Sequence, residues 1–194
     1  MQNFDVREFR VAATLRNGLD VSIRLIRPAD RERLIRAFRG LDRETVYMRL
    51  FRYVSEPTEE QLRRATEPDP DREVALVVTM ASGEEENIIA GGRYVAAGAE
   101  SADRVAEVAF TVEEDYQGLG IAGLLLRHLG EIARGQGISA FEADVLSGNA
   151  SMLRVFARSG LPMEQRRDGG VIHVRLSLAE PRQPAQLIEN YLTL

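Results

Sequence analysis

The sequence predicts an α+β fold: one domain with a mixed central β-sheet flanked by helices. Two observations lead to this prediction. Some segments alternate apolar and polar residues with a period of two, which is typical of strands, and others repeat apolar residues every three or four positions, which is typical of helices. From residue 21 onward these segments follow the order β-α-α-β-β-β-α-β-α-β-β. The length of 194 residues suits one domain with a substantial core.

The first half of the chain begins with a strand over residues 21–26, which stops before a proline. Asp30 is the predicted N-cap of the helix that follows, and Gly40 closes that helix. A second start signal lies at Asp42. Thr58, with a glutamine three residues later, matches a capping box and predicts a further helix start.

The middle of the chain predicts three strands. Residues 74–80 are nearly all apolar, as expected for a strand covered on both faces. The acidic stretch 84–87 is predicted to connect this strand to the next, over 88–96. The third strand, 104–112, places Ala106, Val108, Phe110 and Val112 on one face.

The last third predicts a helix that follows a glycine-rich segment and ends at Gly135 and Gly137. The strand at 141–146 is parallel to the preceding strand if the helix between them is a right-handed crossover. A helix then begins at Asn149, and residues 163–166 and 171–178 form a final hairpin. We expect the domain to cover residues 19–179, with an N-terminal extension (1–18) carrying a leading strand.

The C-terminal tail, residues 180–194, turns apolar near its end. We expect it to dock on the domain and to help form a homodimer.

Residues 117–123, Gln-Gly-Leu-Gly-Ile-Ala-Gly, form the most informative segment of the chain. Small residues between a strand and a helix let the backbone approach a ligand closely. The free N–H groups of the helix start then point at that ligand, with the positive end of the helix dipole behind them. The segment therefore predicts a site for a pyrophosphate.

Composition excludes several classes of function. A net charge of −5 without a basic block argues against nucleic acid as the main partner, and no apolar run approaches the roughly 20 residues of a membrane span. With no cysteine and two histidines, no metal site is expected. The N-terminus lacks the pattern of a signal peptide, so we expect a cytoplasmic protein. All 25 basic residues are arginine.

The signature Gln-x-x-Gly-x-Ala at residues 117–122, within this order of elements, resembles the GNAT superfamily of acetyl-CoA-dependent N-acetyltransferases over about residues 19–179. Four shorter blocks, residues 26–30, 68–76, 106–110 and 149–154, look similar to the catalytic domain of bacterial Pat-type protein lysine acetyltransferases. Such domains are often fused to a regulatory module, and we expect none in this chain.

The resemblance implies acetyl-CoA as co-substrate, with the end of the central strand pairing with the pantetheine arm and the glycine segment binding the pyrophosphate. Gln117 and Gly118 would shape the turn, and Asn149 would contact the arm where two parallel strands part. The implied cofactor residues are Phe110, Thr111, Val112, Gln117, Gly118, Leu119, Gly120, Ile121, Ala122, Gly123 and Asn149.

Acetyl transfer to an amine needs a general base, because a free lysine amine with a pKa near ~10.4 is mostly charged. Glu107 is the predicted base, in the Ala-Glu-x-Ala pattern that Pat-type enzymes use. The alternative is a solvent-facing strand residue paired with Arg93 or Arg104. A backbone N–H near Phe110 is the expected oxyanion donor. Many GNAT enzymes place a tyrosine where this chain has Phe156, so no general acid is assigned.

The acceptor remains open between two classes, protein lysine side chains and a small amine. A third interpretation is a non-catalytic acyl-CoA-binding sensor. A cluster of four arginines has two interpretations: it faces the adenosine phosphate or an acidic substrate loop, or it forms a solvated helix face. The four are Arg49, Arg52, Arg63 and Arg64.

Overall fold

A computed structural model describes residues 8–50, 56–83, 85–96 and 104–179, excepting the side chains of residues 49 and 50. The strands are β1 (Arg10–Thr14), β2 (Asp20–Leu25), β3 (Glu73–Ser82), β4 (Glu85–Ala96), β5 (Val105–Val112), β6 (Ala140–Leu146), β7 (Met163–Asp168) and β8 (Val171–Ser177). The α-helices are α1 (Arg31–Gly40), α2 (Arg43–Leu50), α3 (Glu59–Thr66), α4 (Ile121–Gly135) and α5 (Ala150–Ala157). The predicted C-terminal tail, its expected dimer contact, and Arg52 lie outside the described residues.

The eight strands form one mixed sheet in the order β1-β2-β3-β4-β5-β6-β8-β7. Every neighbouring pair is antiparallel except β5 and β6, which α4 connects as a crossover and which run parallel. The predicted fold class is therefore confirmed. None of the described helices is long and apolar enough to cross a membrane.

The core lies between the sheet and α4. Leu125 and Leu129 of this helix are fully buried, as are Tyr94 and Phe141 of the sheet. Gly92 of β4 makes the close approach possible, because a Cβ there would lie 2.9 Å from Phe110 Cδ1 and 3.2 Å from Leu129 Cδ1. Helix α4 therefore packs directly over β4 and β5 and has a fixed position relative to the end of β5.

The sheet begins earlier than residue 19. Residues 10–14 of the predicted extension pair with β2 over five positions and form the edge strand of the same sheet. Among the described residues, three α-helices and not two lie between β2 and β3, because the start signals at Asp42 and Thr58 belong to separate helices. Asp42 Oδ1 accepts the Thr45 N–H at 2.7 Å, and Thr58 forms the predicted capping box with Gln61.

Glu85 and Glu86, expected in a connecting turn, are part of strand β4. Glu85 and Glu86 pair with the end of β3, so β4 begins three residues earlier than predicted. Their carboxylates bind arginines: Glu85 binds Arg36, and Glu86 binds Arg10 and Arg24. Glu85 and Glu86, predicted to lie in a connecting turn, are thus the partners of arginines in ion pairs.

Asp30 stands at the predicted N-cap position of α1, but its side chain makes no capping hydrogen bond. The carboxylate instead accepts two hydrogen bonds from the guanidinium of Arg24, at 2.6 and 2.8 Å, and one from the Arg27 N–H at 2.9 Å. Asp30 and Arg24 are 1% and 2% exposed. A buried arginine requires such a partner, and this need outweighs the capping role.

We expect Asp30→Ala to lower the free energy of unfolding by about 3–5 kcal/mol, because the buried guanidinium loses its doubly bonded, buried carboxylate and keeps only Glu86. Urea denaturation measures this loss. Glu56→Ala is the matched control: it breaks the exposed ion pair between Arg39 and Glu56, whose loss costs about 1 kcal/mol or less. Equal losses for the two variants would contradict the assignment.

The same pair makes stability depend on pH. Burial acts to raise the pKa of the Asp30 carboxyl, but the hydrogen bonds and charge of Arg24 outweigh it, and the net pKa lies below its ordinary value of 3.8. A depressed folded-state pKa stabilises the protein above about pH 3.8 and loses this effect as the pH falls through the folded-state value. The difference between wild type and Asp30→Ala should therefore shrink in acid.

Candidate active site

The site is built where the two parallel strands part. β5 and β6 pair at three positions only, residues 105–107 with residues 140–142. Beyond Glu107, β5 stays with β4 as far as Val112, while β6 stays with β8 as far as Leu146. A gap therefore opens between the carboxyl ends of two central strands.

The register of β5 decides which backbone groups face this gap. Glu113 N–H donates to Ile89 O at 3.0 Å, and opposite residues in an antiparallel ladder alternate between bonded and non-bonded pairs. The N–H and C=O of Thr111 therefore point at Gly91 of β4, and those of Phe110 and Val112 point into the gap. The Val112 carbonyl accordingly accepts a hydrogen bond from the Gln117 side chain, at 3.2 Å.

Of the three predicted arm-binding residues, Phe110 and Val112 thus have main-chain groups directed into the gap. Thr111 does not, because its main-chain groups belong to the β4 ladder. The difference arises because successive residues of a strand direct their main-chain N–H and C=O groups to opposite sides. Thr111 therefore lines the site only with atoms other than its main-chain N–H and C=O.

A groove of about 1010 Å³ runs from this gap to the start of α4. All eleven residues predicted to bind the cofactor line it: Phe110, Thr111, Val112, Gln117, Gly118, Leu119, Gly120, Ile121, Ala122, Gly123 and Asn149. The sequence placed them in one site by resemblance, and the structure brings them together.

The glycine segment presents free donors to the groove. Gly118 and Gly120 have φ of 75° and 94°, in the left-handed region that favours glycine. The first backbone hydrogen bond of α4 runs from Leu124 N–H to Gly120 O at 3.1 Å. The N–H groups of residues 121–123 therefore precede the helical ladder, as at any helix N-terminus, and are oriented to bind an anion.

Two polar side chains hold the ends of the groove. Gln117 bonds the Val112 carbonyl and, at 3.4 Å, Thr45 of α2, so it ties the glycine turn to β5. Asn149 is the N-cap of α5: its Oδ1 accepts the Met152 N–H at 3.0 Å. The amide nitrogen of Asn149 then remains as the donor that can serve a ligand in the groove.

Glu107 lies at the point where the strands part but on the opposite face of β5 from Phe110. It is exposed and lies outside the groove lining. The alternative pairing partners are engaged elsewhere: Arg93 binds Glu73 at 3.2 Å, and Arg104 donates to the carbonyls of Gln136 and Asp71. Among the described residues, no side chain forms an ion pair with the Glu107 carboxylate.

The position of the missing tyrosine is part of the core. Phe156 is 1% exposed, and its ring centroid lies 6.2 Å from that of Phe110. It packs under the gap and offers no proton. His128 contacts Phe9 and Glu131, and within the described ranges no three His, Asp or Glu side chains form a cluster that would hold a metal ion.

The charges around the glycine segment are mixed. Glu113, Glu114 and Asp115 precede it; burial raises the pKa of the Glu113 carboxyl, and the charges of the other two raise it further. Two of the four arginines considered from the sequence, Arg63 and Arg64, bind Glu60 of their own helix. These contacts favour the interpretation of a solvated helix face for this pair. Sequence reasoning missed Arg16, which lines the groove from the β1–β2 hairpin, because no local motif marks it.

Fold and site together define the GNAT class of acetyltransferases. Residues 41–161 match the Acetyltransferase (GNAT) family, and the chain belongs to this family. The enzyme class expected from the sequence, an N-acetyltransferase, is thereby confirmed.

Relatives support the Pat-type resemblance. Acetyltransferase Pat of Mycolicibacterium smegmatis is 34% identical over 162 residues, which cover 84% of this chain and 47% of Pat. The chain thus spans about half the length of this relative. The GNAT domain of S. lividans PAT is 32% identical with a TM-score of 0.77, and the match covers 87% of this chain and 96% of that domain.

The fold also matches that of yncA from Salmonella typhimurium, whose structure contains its cofactor acetyl-CoA. That protein is 19% identical with a TM-score of 0.64, over 84% of this chain and 97% of its own.

We expect Gly120→Ala to weaken acetyl-CoA binding without unfolding the domain. The added Cβ would be in ordinary contact with the Arg16 side chain alone, with Nε at 3.6 Å. The damage therefore comes from a non-glycine residue at φ 94°, which costs about 1–2 kcal/mol and turns the free N–H groups away. Gly137→Ala is the matched control, with φ 76° at the other end of α4. Calorimetric titration should show weaker acetyl-CoA binding for Gly120→Ala alone. Similar acetyl-CoA affinities for the two variants would contradict the proposed role of the glycine segment in binding.

Proposed function

We propose that the chain transfers an acetyl group from acetyl-CoA directly to the amine of protein lysine side chains, with Glu107 as general base. One observation carries this proposal: a gap between parallel strands, lined by free backbone groups, continues into a helix N-terminus. It has the shape and donors that a long arm ending in a pyrophosphate requires. The catalytic domain would run from β1 to about residue 179, and we propose a cytoplasmic location.

The donor half of the site would bind acetyl-CoA by its backbone. The Phe110 and Val112 main chain can pair with an extended pantetheine arm as a further strand would, and the N–H groups at the start of α4 can bind the pyrophosphate. Acetyl-CoA supplies the acetyl group as an activated thioester. Asn149 lines the groove on the β6 side, and its amide nitrogen can donate a hydrogen bond to the same arm.

The Phe110 N–H is the proposed oxyanion donor. Negative charge develops on the thioester oxygen as the amine attacks, and a donor already in place stabilises it without reorganisation. Parity along β5 directs this N–H into the gap instead of to β4.

Glu107 is the proposed base because it stands at the last paired position, where the gap begins, and no arginine of the described residues binds its carboxylate. The acceptor nitrogen forms a bond to the acetyl carbon, the carbon–sulfur bond breaks, and the proton lost by the nitrogen passes to Glu107, directly or through water. The CoA thiolate leaves and takes a proton from solvent, since Phe156 has none to give.

The surface around Glu107 favours a large acceptor. Glu142 and Asp144 of β6 are exposed on the same side of the sheet, next to Arg175 and His173 of β8, which they bind. The base therefore lies on an open, charged sheet face and not in a closed pocket. A protein segment carrying a lysine can reach such a face.

We expect Glu107→Gln to lower kcat by roughly 10²–10⁴ while acetyl-CoA affinity stays nearly unchanged. The variant keeps the size of the side chain and removes its basicity. Steady-state kinetics with a peptide acceptor over a range of pH, with a separate binding titration, measures both quantities.

Glu142→Gln is the matched control for this measurement. Glu142 lies directly opposite Glu107 on β6, is exposed in the same way, and binds Arg175 at 2.5 Å. Its substitution should change kcat by a few-fold at most. Equal effects of the two variants, or no effect of Glu107→Gln at any pH, would remove Glu107 from the mechanism.

The acceptor class is tested by CoA release with acetyl-CoA and a panel of acceptors. We expect turnover with lysine-containing proteins and peptides. Turnover with small amines alone would replace the proposal by a small-molecule N-acetyltransferase. Binding of acetyl-CoA without turnover on any acceptor would favour an acyl-CoA-binding sensor.

A further inference from the structure

The hairpin between β1 and β2 lies beside the start of α4 and is held by several hydrogen bonds. Leu15 is buried, and its N–H donates to Leu19 O at 2.8 Å. Gly18 N–H donates to Leu15 O at 2.9 Å, and Asn17 Oδ1 accepts the Leu19 N–H at 3.2 Å. These bonds and the anchoring of Leu15 in the core fix the backbone from which the next side chain, Arg16, projects.

Arg16 extends from this hairpin to the N-terminus of α4. Its Nε lies 3.6 Å, and its Cζ 3.9 Å, from the point where a Cβ on Gly120 would stand. The side chain lines the same groove as the glycine segment. Within the part of the chain that the structure describes, no carboxylate forms an ion pair with it.

The glycine segment needs such a cation. A pyrophosphate bridge carries two negative charges, whereas residues 117–123 contain no charged side chain. Three carboxylates, Glu113, Glu114 and Asp115, come immediately before, and the whole chain has a net charge of −5. The helix N-terminus contributes about half a positive charge, so a side-chain cation is needed to balance the rest. Four other arginines also line the groove, but only the guanidinium of Arg16 lies beside Gly120; the four are Arg127, Arg134, Arg154 and Arg158.

We infer that Arg16 binds the pyrophosphate of the acyl-CoA donor together with the N–H groups at the start of α4. This inference rests on the proposed function and adds a phosphate ligand from outside the glycine signature. A guanidinium suits the task, because its planar set of donors forms paired hydrogen bonds with phosphate oxygens and stays charged at every physiological pH.

The test compares ligands that differ in one phosphate group. Calorimetry with CoA and with 3′-dephospho-CoA, which retains the pyrophosphate, should show a loss of about 5- to 30-fold in affinity for Arg16→Ala with both ligands. Arg16→Lys should lose less, since it keeps the charge. Arg16 is exposed, so unchanged thermal unfolding of both variants is expected and verifies the fold.

Arg167→Ala is the control for net charge. Arg167 is exposed on β7 and does not line the groove, so its loss changes the total charge equally and should leave affinity unchanged. If Arg16→Ala binds CoA as tightly as wild type, or no more weakly than Arg167→Ala, the inference is overturned.

Two further outcomes separate this inference from the function on which it rests. A loss seen with CoA but absent with 3′-dephospho-CoA would assign Arg16 to the 3′-phosphate and overturn the pyrophosphate assignment. Failure of the wild-type protein to bind CoA at all would overturn the proposed function, and the inference with it. Normal binding by wild type and by Arg16→Ala would overturn the inference alone.

Discussion

The parting of β5 and β6 is the constraint on which the rest of the molecule depends. Backbone N–H and C=O groups inside a sheet are costly when they have no partner. Here the two central strands β5 and β6 stop pairing after three residue pairs, and each stays paired with an antiparallel neighbour on its other side. The side facing the gap is left with unused groups, Phe110 among them, that an extended ligand can satisfy.

The helices follow from this constraint. α4 begins just after β5 ends, so its free N–H groups lie at the open end of the gap, and Gly92 lets the helix body pack against β4 and β5. α5 begins just after β6 ends, with Asn149 as its cap. Both strand ends therefore deliver a helix N-terminus to the same groove, and Phe156 fills the space beneath it.

Features with a local cause could be predicted from the sequence. The capping residues Thr58 and Asn149 and the left-handed glycines at 118 and 120 act on neighbours within a few positions, so their pattern is visible in the chain itself. The capping hydrogen bond expected of Asp30 is absent because its carboxylate pairs with Arg24. That pairing results from the burial of both side chains in the fold, which the local sequence does not show. The ion pairs of Glu85 and Glu86 and the position of Arg16 depend on residues 49 or more positions away, which periodicity does not report.

The arginine-only composition gives the ion pairs of this fold a chemical property of their own. In the described part of the chain, every ion pair other than the two histidine–carboxylate contacts takes its cation from arginine, including the buried pair of Arg24 and Asp30. A guanidinium remains protonated and is no nucleophile toward a thioester, whereas a lysine in the same place is the group that the proposed reaction consumes. The charges that hold this sheet together are therefore resistant to acylation by the protein's own donor.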